Sequence, residues 1–311
     1  MTQAVLIDCD PGYDDAAALI LAAGSPALEL VGVTTVAGNQ TLEKVTGNAR
    51  RILKLLGSRA PVAAGARSPL LSDAPRVCPE IHGESGLDGV ELPEEGVPLD
   101  PRPAARFIAE TILEREPGSV TLIPTGPLTN IAAAVLSEPR IVSRVREVVL
   151  MGGAVHAGNV GPFSEFNIAN DPEAADIVFR AGWPVVMVGL DLTRQARADE
   201  AVRRRARSIP TRAGRLLAEV LAAFTGTYRR ARGYDAPPLH DPCAVARVIS
   251  PETVRARPVP IAVECAGRWT RGMTVCDFRR EPPADVRTQA ALELDAPAFW
   301  DLLMDAAARL P

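Results

Sequence analysis

Lysine is almost missing from this 311-residue chain. Only Lys44 and Lys54 occur, and arginine supplies the rest of its 34 basic residues. We read that bias as genomic rather than functional. Basic residues are also outnumbered, 34 against 38 acids for a net charge of −4. Nucleic-acid-binding domains usually carry a basic stripe, so this balance excludes a nucleic acid as the main partner. The runs Arg203-Arg204-Arg205 and Arg229-Arg230 read as solvated helix faces. Cysteine is sparse and scattered: Cys9, Cys78, Cys243, Cys265 and Cys276 form no CxxC and make an odd total. That pattern fits a reducing cytosol better than a disulfide framework. No uncharged apolar stretch approaches the roughly 18 residues that a transmembrane helix needs. The start, MTQAVLID, has no basic n-region, and Asp8 interrupts the apolar run too early for a signal peptide. A cytoplasmic protein with no membrane partner is expected. Hydrophobic residues at 47% and charged residues at 23% exclude global disorder and a fibrous protein.

One further absence is local. Residues 1–43 contain no Lys or Arg, yet hold Asp8, Asp10, Asp14, Asp15, Glu29 and Glu43. Four of these acids follow a short apolar run, Ala4 to Ile7, that reads as a strand. Beyond it, strand and helix patterns alternate. Helices are expected over Ala16–Ala23, Thr41–Leu56, Ala104–Glu114, Leu128–Leu136, Pro172–Ala181, Thr211–Arg230, Pro242–Ile249 and Ala296–Leu310. Strands are expected over Leu28–Val36, Val62–Ala64, Val120–Ile123, Val145–Met151, Val185–Leu190, Pro260–Glu264 and Met273–Asp277. The alternation predicts an α/β fold with a mainly parallel central sheet and helices on both faces. No linker-like shift in composition appears, so 1–311 reads as one domain. The stretch 67–101, which has no sustained period, and the segment near 224–240, around a loop at Gly233–Leu239, read as mobile loops, and Gly152–Asn170 as a further long loop; loops as long as the first are usually functional. Ligands in open parallel sheets bind outside the carboxyl ends of the strands, which is where the informative residues fall.

Asp8, Asp10, Asp14 and Asp15 are brought together by a turn at Pro11-Gly12. Packed carboxylates repel, and stay ionised only beside a cation; otherwise one takes up a proton. Helix capping accounts for one or two such acids, not four within eight residues. An all-oxygen donor set of several carboxylates suits Ca²⁺ or Mg²⁺, and favours the larger, more flexible Ca²⁺ shell.

The stretch IDCDPGYDDAAAL (residues 7–19) resembles the N-terminal signature of the inosine-uridine preferring nucleoside hydrolase family. Further blocks agree in order: Gly38-Asn39, HGESGLDG (82–89), PTGPLTNIA (124–132), MGGAVHAGNVGPFSEFNIANDPEAA (151–175), PLHDPCAVA (238–246) and TRGMTVCD (270–277). The resemblance covers residues 4–305. It implies the nucleoside hydrolase fold with its Rossmann-like core, and hydrolysis of ribonucleosides of the inosine, uridine or cytidine kind to free base and ribose, for salvage. It also implies one tightly bound Ca²⁺ and a homodimer or homotetramer. By similarity Asp10, Asp15 and Asp241 supply carboxylate ligands, and the Thr125 carbonyl another. Asp10 stands in the position of the general base that takes a proton from a water held by the cation. Asp14, Asn39, Asn159, Glu165 and Asn167 match ribose-contacting positions. Asp8 is read as orienting the loop.

In members carrying HDP, the histidine matched by His240 is associated with activating the departing base, and histidine is the right type for acid chemistry near neutral pH. His82 resembles a base-side contact. Met151 and Phe166 match apolar pocket residues, with core packing as the alternative. One of Phe224, Tyr228 and Tyr234 is expected to close over the base. His156 reads as a satisfied loop residue. Cys9 reads as small and packed, its thiol made a poor nucleophile by the surrounding acids.

Two other functions fit parts of the pattern. A phosphatase opening on DxD needs a downstream lysine, but both lysines fall in the Thr41–Leu56 helix, and the HDP and EFN blocks go unexplained. A non-catalytic nucleoside or ribose binder on the same fold should have lost Asp10 or a metal ligand, and none is lost.

Overall fold

The first strand shows how the layers arise. In β1 (Gln3–Cys9), Val5, Ile7 and Cys9 enter one hydrophobic core, while Ala4 and Leu6 enter another. Successive strand residues point to opposite faces, so a strand apolar at four positions in a row, Ala4 to Ile7, must be covered on both. The computed structural model describes residues 2–311. The other strands are β2 (Leu28–Thr35), β3 (Val62–Ala64), β4 (Leu99–Asp100), β5 (Val120–Pro124), β6 (Val145–Met151), β7 (Val185–Val188), β8 (Val254–Pro258), β9 (Ile261–Val263), β10 (Thr274–Cys276) and β11 (Thr288–Leu294). Nine of them form one sheet in the order β4-β3-β2-β1-β5-β6-β7-β11-β8, and β9 and β10 pair separately as an antiparallel ribbon. Within the main sheet the pairs are parallel except β11 with β8.

The helices are α1 (Tyr13–Gly24), α2 (Leu42–Leu55), α3 (Pro79–His82), α4 (Ala104–Leu113), α5 (Thr129–Ser137), α6 (Phe166–Asn170), α7 (Pro172–Arg180), α8 (Leu190–Thr193), α9 (Glu200–Arg207), α10 (Arg212–Arg232), α11 (Pro242–Ile249) and α12 (Ala296–Arg309). Apolar residues of α1, α2, α10, α11 and α12 fill the core on one face; those of α4, α5 and α7 fill the other. The expected α/β fold, a single domain with a mainly parallel sheet, is what the chain forms.

Three features depart from the sequence reading. The strands β8 and β11 escaped it, because VRARP (residues 254–258) is largely exposed and charged and gains strand geometry from pairing with β11. The segment 224–240 is helical as far as Arg232, and α10 stops only at Gly233, whose φ of +72° places it in the left-handed region that ends helices. Its loop is therefore 233–239, and Phe224 and Tyr228 stand on a helix. Within 67–101 the short α3 and β4 interrupt the loop. The beginning of that loop is fastened by Asp171, which accepts from the Leu70 amide at 2.9 Å and the Thr129 hydroxyl at 2.7 Å while capping α7.

The strand order places the site. From β1 the chain runs outward through β2, β3 and β4; from β5 it runs the other way through β6 and β7. Such a reversal opens a crevice at the carboxyl ends of the two central strands. Asp10 follows β1, Thr125 follows β5, and the Gly152–Glu165 loop follows β6.

Candidate active site

A cavity of about 320 Å³ lies at this crevice, lined among others by Asp14, Asn39, Thr125 and Asp241. Asp10, Asp14, Asp15 and Asp241 are all buried. Oxygens of Asp14, Asp15 and Asp241 lie within 4.8 Å of one another. Helix capping explains only part of this. Asp15 accepts from the Gly12 amide at 3.1 Å in the first turn of α1. Asp241 precedes α11 yet makes no capping bond, so its carboxylate is free to join the cluster.

The remaining bonds orient the acids without neutralising them. Asp15 also accepts from the Thr125 hydroxyl at 2.9 Å and the Asn39 side-chain amide at 3.2 Å. Asp10 takes the Asn39 backbone amide on Oδ2 at 2.7 Å. Asp10 Oδ1 and Asp14 Oδ1 are buried with no hydrogen-bond partner among the described residues. Burial pushes all four carboxyls up, Asp14 to about 7, and their mutual repulsion raises Asp10, Asp14 and Asp241 further. Buried, unpaired carboxylate oxygens cost heavily unless a proton or a cation meets them. This all-oxygen set, with Asp14, Asp15 and Asp241 converging and two carboxylate oxygens left unpartnered among the described residues, fits a hard divalent cation.

The trio whose atoms converge includes Asp14, expected as a ribose contact. Asp10, expected as a ligand, is outside that trio and is not among the residues that line the cavity. Asp8 belongs elsewhere: its Oδ1 accepts from Thr34 at 2.6 Å and Asn130 at 2.8 Å, tying β1 to β2 and α5. Burial pushes it up to about 6.

The expected ribose-side residues converge on the same cavity. Asn39, Asn159, Glu165 and Asn167 line it, with Met151 and Phe166. Glu165 is 2% exposed and accepts from the amides of Gly153, Asn167 and Ile168, which fold the loop onto α6. Burial still pushes it up to about 7. The Asn167 side chain donates to the Thr125 carbonyl at 2.7 Å and the Met151 carbonyl at 3.1 Å. A carbonyl has two lone pairs, so Thr125 keeps one for another partner. Asn159 accepts the Phe166 amide at 2.9 Å.

Both His82 and His240 line the same cavity. His82 packs against Tyr13 and Phe224, which also touch each other, and its Nδ1 accepts the Tyr13 amide at 3.3 Å. Burial, then His240, push it down to about 3. His240 meets the Thr193 hydroxyl at Nδ1, 2.7 Å away, and the Tyr228 hydroxyl at Nε2, 3.3 Å away. Burial, then Arg194, push His240 down to about 4, away from the neutral range its residue type suggested.

With this geometry in view, comparison with known proteins is decisive. The inosine-uridine preferring nucleoside hydrolase family matches residues 5–301. The chain belongs to that family. It is 48% identical to the inosine-uridine preferring nucleoside hydrolase of Leishmania major, over all of this chain and 99% of the relative. It is 43% identical to a pyrimidine-specific ribonucleoside hydrolase, RihA, of Klebsiella pneumoniae, over 97% of each chain. A purine-preferring ribonucleoside hydrolase from Gardnerella vaginalis superposes with a TM-score of 0.92 at 35% identity, covering 98% of each chain.

For a nucleoside hydrolase, an N-glycosidase, the motif residues now divide by task. Asp171 and Asn130 serve the scaffold, and Asp88 accepts from Ser85 and Glu84 to shape the loop carrying His82. His156 is exposed and paired with Asp191 at 2.6 Å. Phe224 is fully buried against Tyr13 and His82, Tyr228 reaches His240, and Tyr234 is 52% exposed at the rim. The sequence reading missed Arg194, Arg197 and Arg232, which line this cavity, and Thr193, which is buried against His240. None belongs to a recognisable motif; they arrive from α8, the turn after it, and the end of α10.

Proposed function

We propose that this hydrolase cleaves the N-glycosidic bond of inosine-, uridine- or cytidine-like ribonucleosides, giving free base and ribose for nucleoside salvage, with Ca²⁺ as its cofactor. The observation that carries this reading is the convergence of buried carboxylates, two of their oxygens unpartnered among the described residues, at a cavity that buried His82 and His240 also line. The relatives' names support a ribonucleoside substrate, and they differ in the base they prefer. We further propose a cytoplasmic homodimer or homotetramer whose mobile loops near 67–101 and 233–239 admit substrate.

Asp14, Asp15 and Asp241, with Asp10 and the Thr125 carbonyl, are the residues that would hold the cation. When bound, Ca²⁺ supplies positive charge that lowers the pKa of a water and orders vicinal hydroxyls. Asp10 accepts the proton of the attacking water, its Oδ1 having no other partner among the described residues. The water oxygen bonds to C1′ as the bond from C1′ to the base nitrogen breaks. Asn39, Asn159, Glu165 and Asn167 hold the ribose hydroxyls. Positive charge gathers on the ribose as in other glycoside cleavage, and the anionic pocket stabilises it. His240 activates the leaving base: its neutral ring donates a hydrogen bond at rest, and its protonated form, though scarce, is a strong acid. His82 contributes a neutral, aromatic-packed edge on the base side.

A reducing-sugar assay on inosine, uridine, cytidine and adenosine, with and without Ca²⁺, tests the reading. Release of ribose from at least one, abolished by chelator, is expected. Binding without release would mark a non-catalytic nucleoside binder.

A further inference from the structure

Both ring nitrogens of His240 are engaged, and the partner at Nδ1 comes from an element that no motif marks. The single-turn helix α8 follows β7 at the carboxyl edge of the sheet. Its last residue, Thr193, is completely buried, and the one side-chain hydrogen bond of its hydroxyl among the described residues is to His240 Nδ1, at 2.7 Å. A buried hydroxyl that kept its proton unshared would lose a hydrogen bond's worth of solvation. The proton therefore goes to Nδ1 in the resting enzyme, which leaves the ring hydrogen on Nε2, the nitrogen next to the Tyr228 hydroxyl.

Helix α8 and the turn after it also hold the loop that follows β6. Asp191 accepts the Val155 amide at 2.6 Å and pairs with His156. Arg194, which follows Thr193, donates to the Gly158 carbonyl at 2.7 Å. Gln195 anchors the turn to β11 through the Leu292 carbonyl at 2.8 Å and the Leu294 amide at 3.1 Å. One rigid mount thus bears the histidine of the base side and the loop bearing Asn159.

We infer that Thr193 is a positioning residue for leaving-group activation: it holds His240 by Nδ1, so that Nε2–H is presented to Tyr228 and the cavity. The inference rests on the leaving-group role proposed for His240.

The test compares Thr193→Val, which keeps the shape and loses the hydroxyl, with Thr193→Ser, which keeps the hydroxyl, and with His240→Ala. Each is assayed on inosine and on p-nitrophenyl riboside, whose leaving group needs no proton. Thr193→Val should lose roughly 10- to 100-fold in kcat/KM on inosine, within the range of general acid–base contributions, and much less on p-nitrophenyl riboside. Thr193→Ser should restore most of the loss. In His240→Ala, adding Thr193→Val should cost nothing more, because coupled residues are not additive. Equal losses on both substrates, or none on inosine while His240→Ala does discriminate, would overturn the assignment. If His240→Ala itself fails to discriminate, the role of His240 falls and takes this function of Thr193 with it. Imidazole ¹⁵N spectra of the wild type read the positioning without catalysis: protonated Nε2 and bare Nδ1 are expected at His240, and mixed tautomers in Thr193→Val. A wild-type ring protonated at Nδ1 would overturn the hydrogen-bond direction.

Discussion

Gly38 presses so closely on Asp10 that a Cβ placed there would sit 2.1 Å from Asp10 Oδ2 and 2.9 Å from the Pro127 ring. The glycine is needed for space and not for an unusual backbone angle, since it lies outside the positive-φ set. Gly126 closes on the other oxygen: a Cβ added to it would lie 2.8 Å from Asp10 Oδ1. Gly38→Ala should therefore turn the Asp10 carboxylate away while the sheet still forms. A fall of about 100-fold or more in kcat is expected, comparable to losing a positioned acid or base. Unchanged turnover in a folded Gly38→Ala protein would show that the Asp10 orientation is immaterial.

Asp10→Asn keeps an oxygen for the Asn39 amide and removes the base. Turnover should fall by about 10²- to 10⁴-fold, with little change in thermal midpoint, because a buried carboxyl already pushed up loses no ion pair on becoming an amide. Parallel reducing-sugar and thermal-melt measurements separate the two effects.

The carboxylate cluster sets the pH dependence of stability. Burial, the largest cause, raises Asp14 to about 7 and Asp8 to about 6, above their ordinary 3.8. Between about pH 4 and 7 the folded, cation-free chain then binds protons that the unfolded chain has released. Buried His82 and His240, pushed down to about 3 and about 4, oppose this below about pH 6.5. The raised acids Asp8, Asp10, Asp14, Asp15, Glu165 and Asp241 outnumber them, so stability falls as pH rises through that window. A cation competes with those protons, so its stabilising effect should grow in the same direction. Thermal melts with chelator should show a lower midpoint at about pH 7.5 than at about pH 5, and added Ca²⁺ should raise the midpoint more at the higher pH. A Ca²⁺ effect independent of pH would contradict the cluster as its site.

Among the three aromatics near the cavity mouth, Tyr228 has the chemical contact. Tyr228→Phe should lower kcat/KM on inosine by about 5- to 10-fold, the cost of one hydrogen bond of roughly 1 kcal/mol. Tyr234→Phe, at an exposed rim position, should stay within about 2-fold. Steady-state kinetics on the two variants decides which aromatic matters.

The parallel core was legible because its signals are local. Apolar runs such as VLI and VVLM, with the helical patterns between them, specify strands covered on both faces and the order in which they occur. The acid cluster was legible for the same reason: four aspartates within eight residues at a strand end cannot be explained by capping alone. Motif resemblance added Asn39, His82, Glu165, Asn167, His240 and Asp241, all of which the fold brings to one cavity. The sequence by itself determined the class of the fold and the composition of this pocket. Tertiary structure alone decided which oxygens converge, bringing Asp241 from far along the chain to Asp14 and Asp15. It alone gave Asp8, Asn130 and Asp171 to the scaffold, and it alone brought Thr193 to His240 across 47 residues. The physical reason is that a hydrogen bond or a pair of repelling charges depends on distance in space, and a threonine in an unmarked turn carries no trace of its partner until the sheet has set both at its edge.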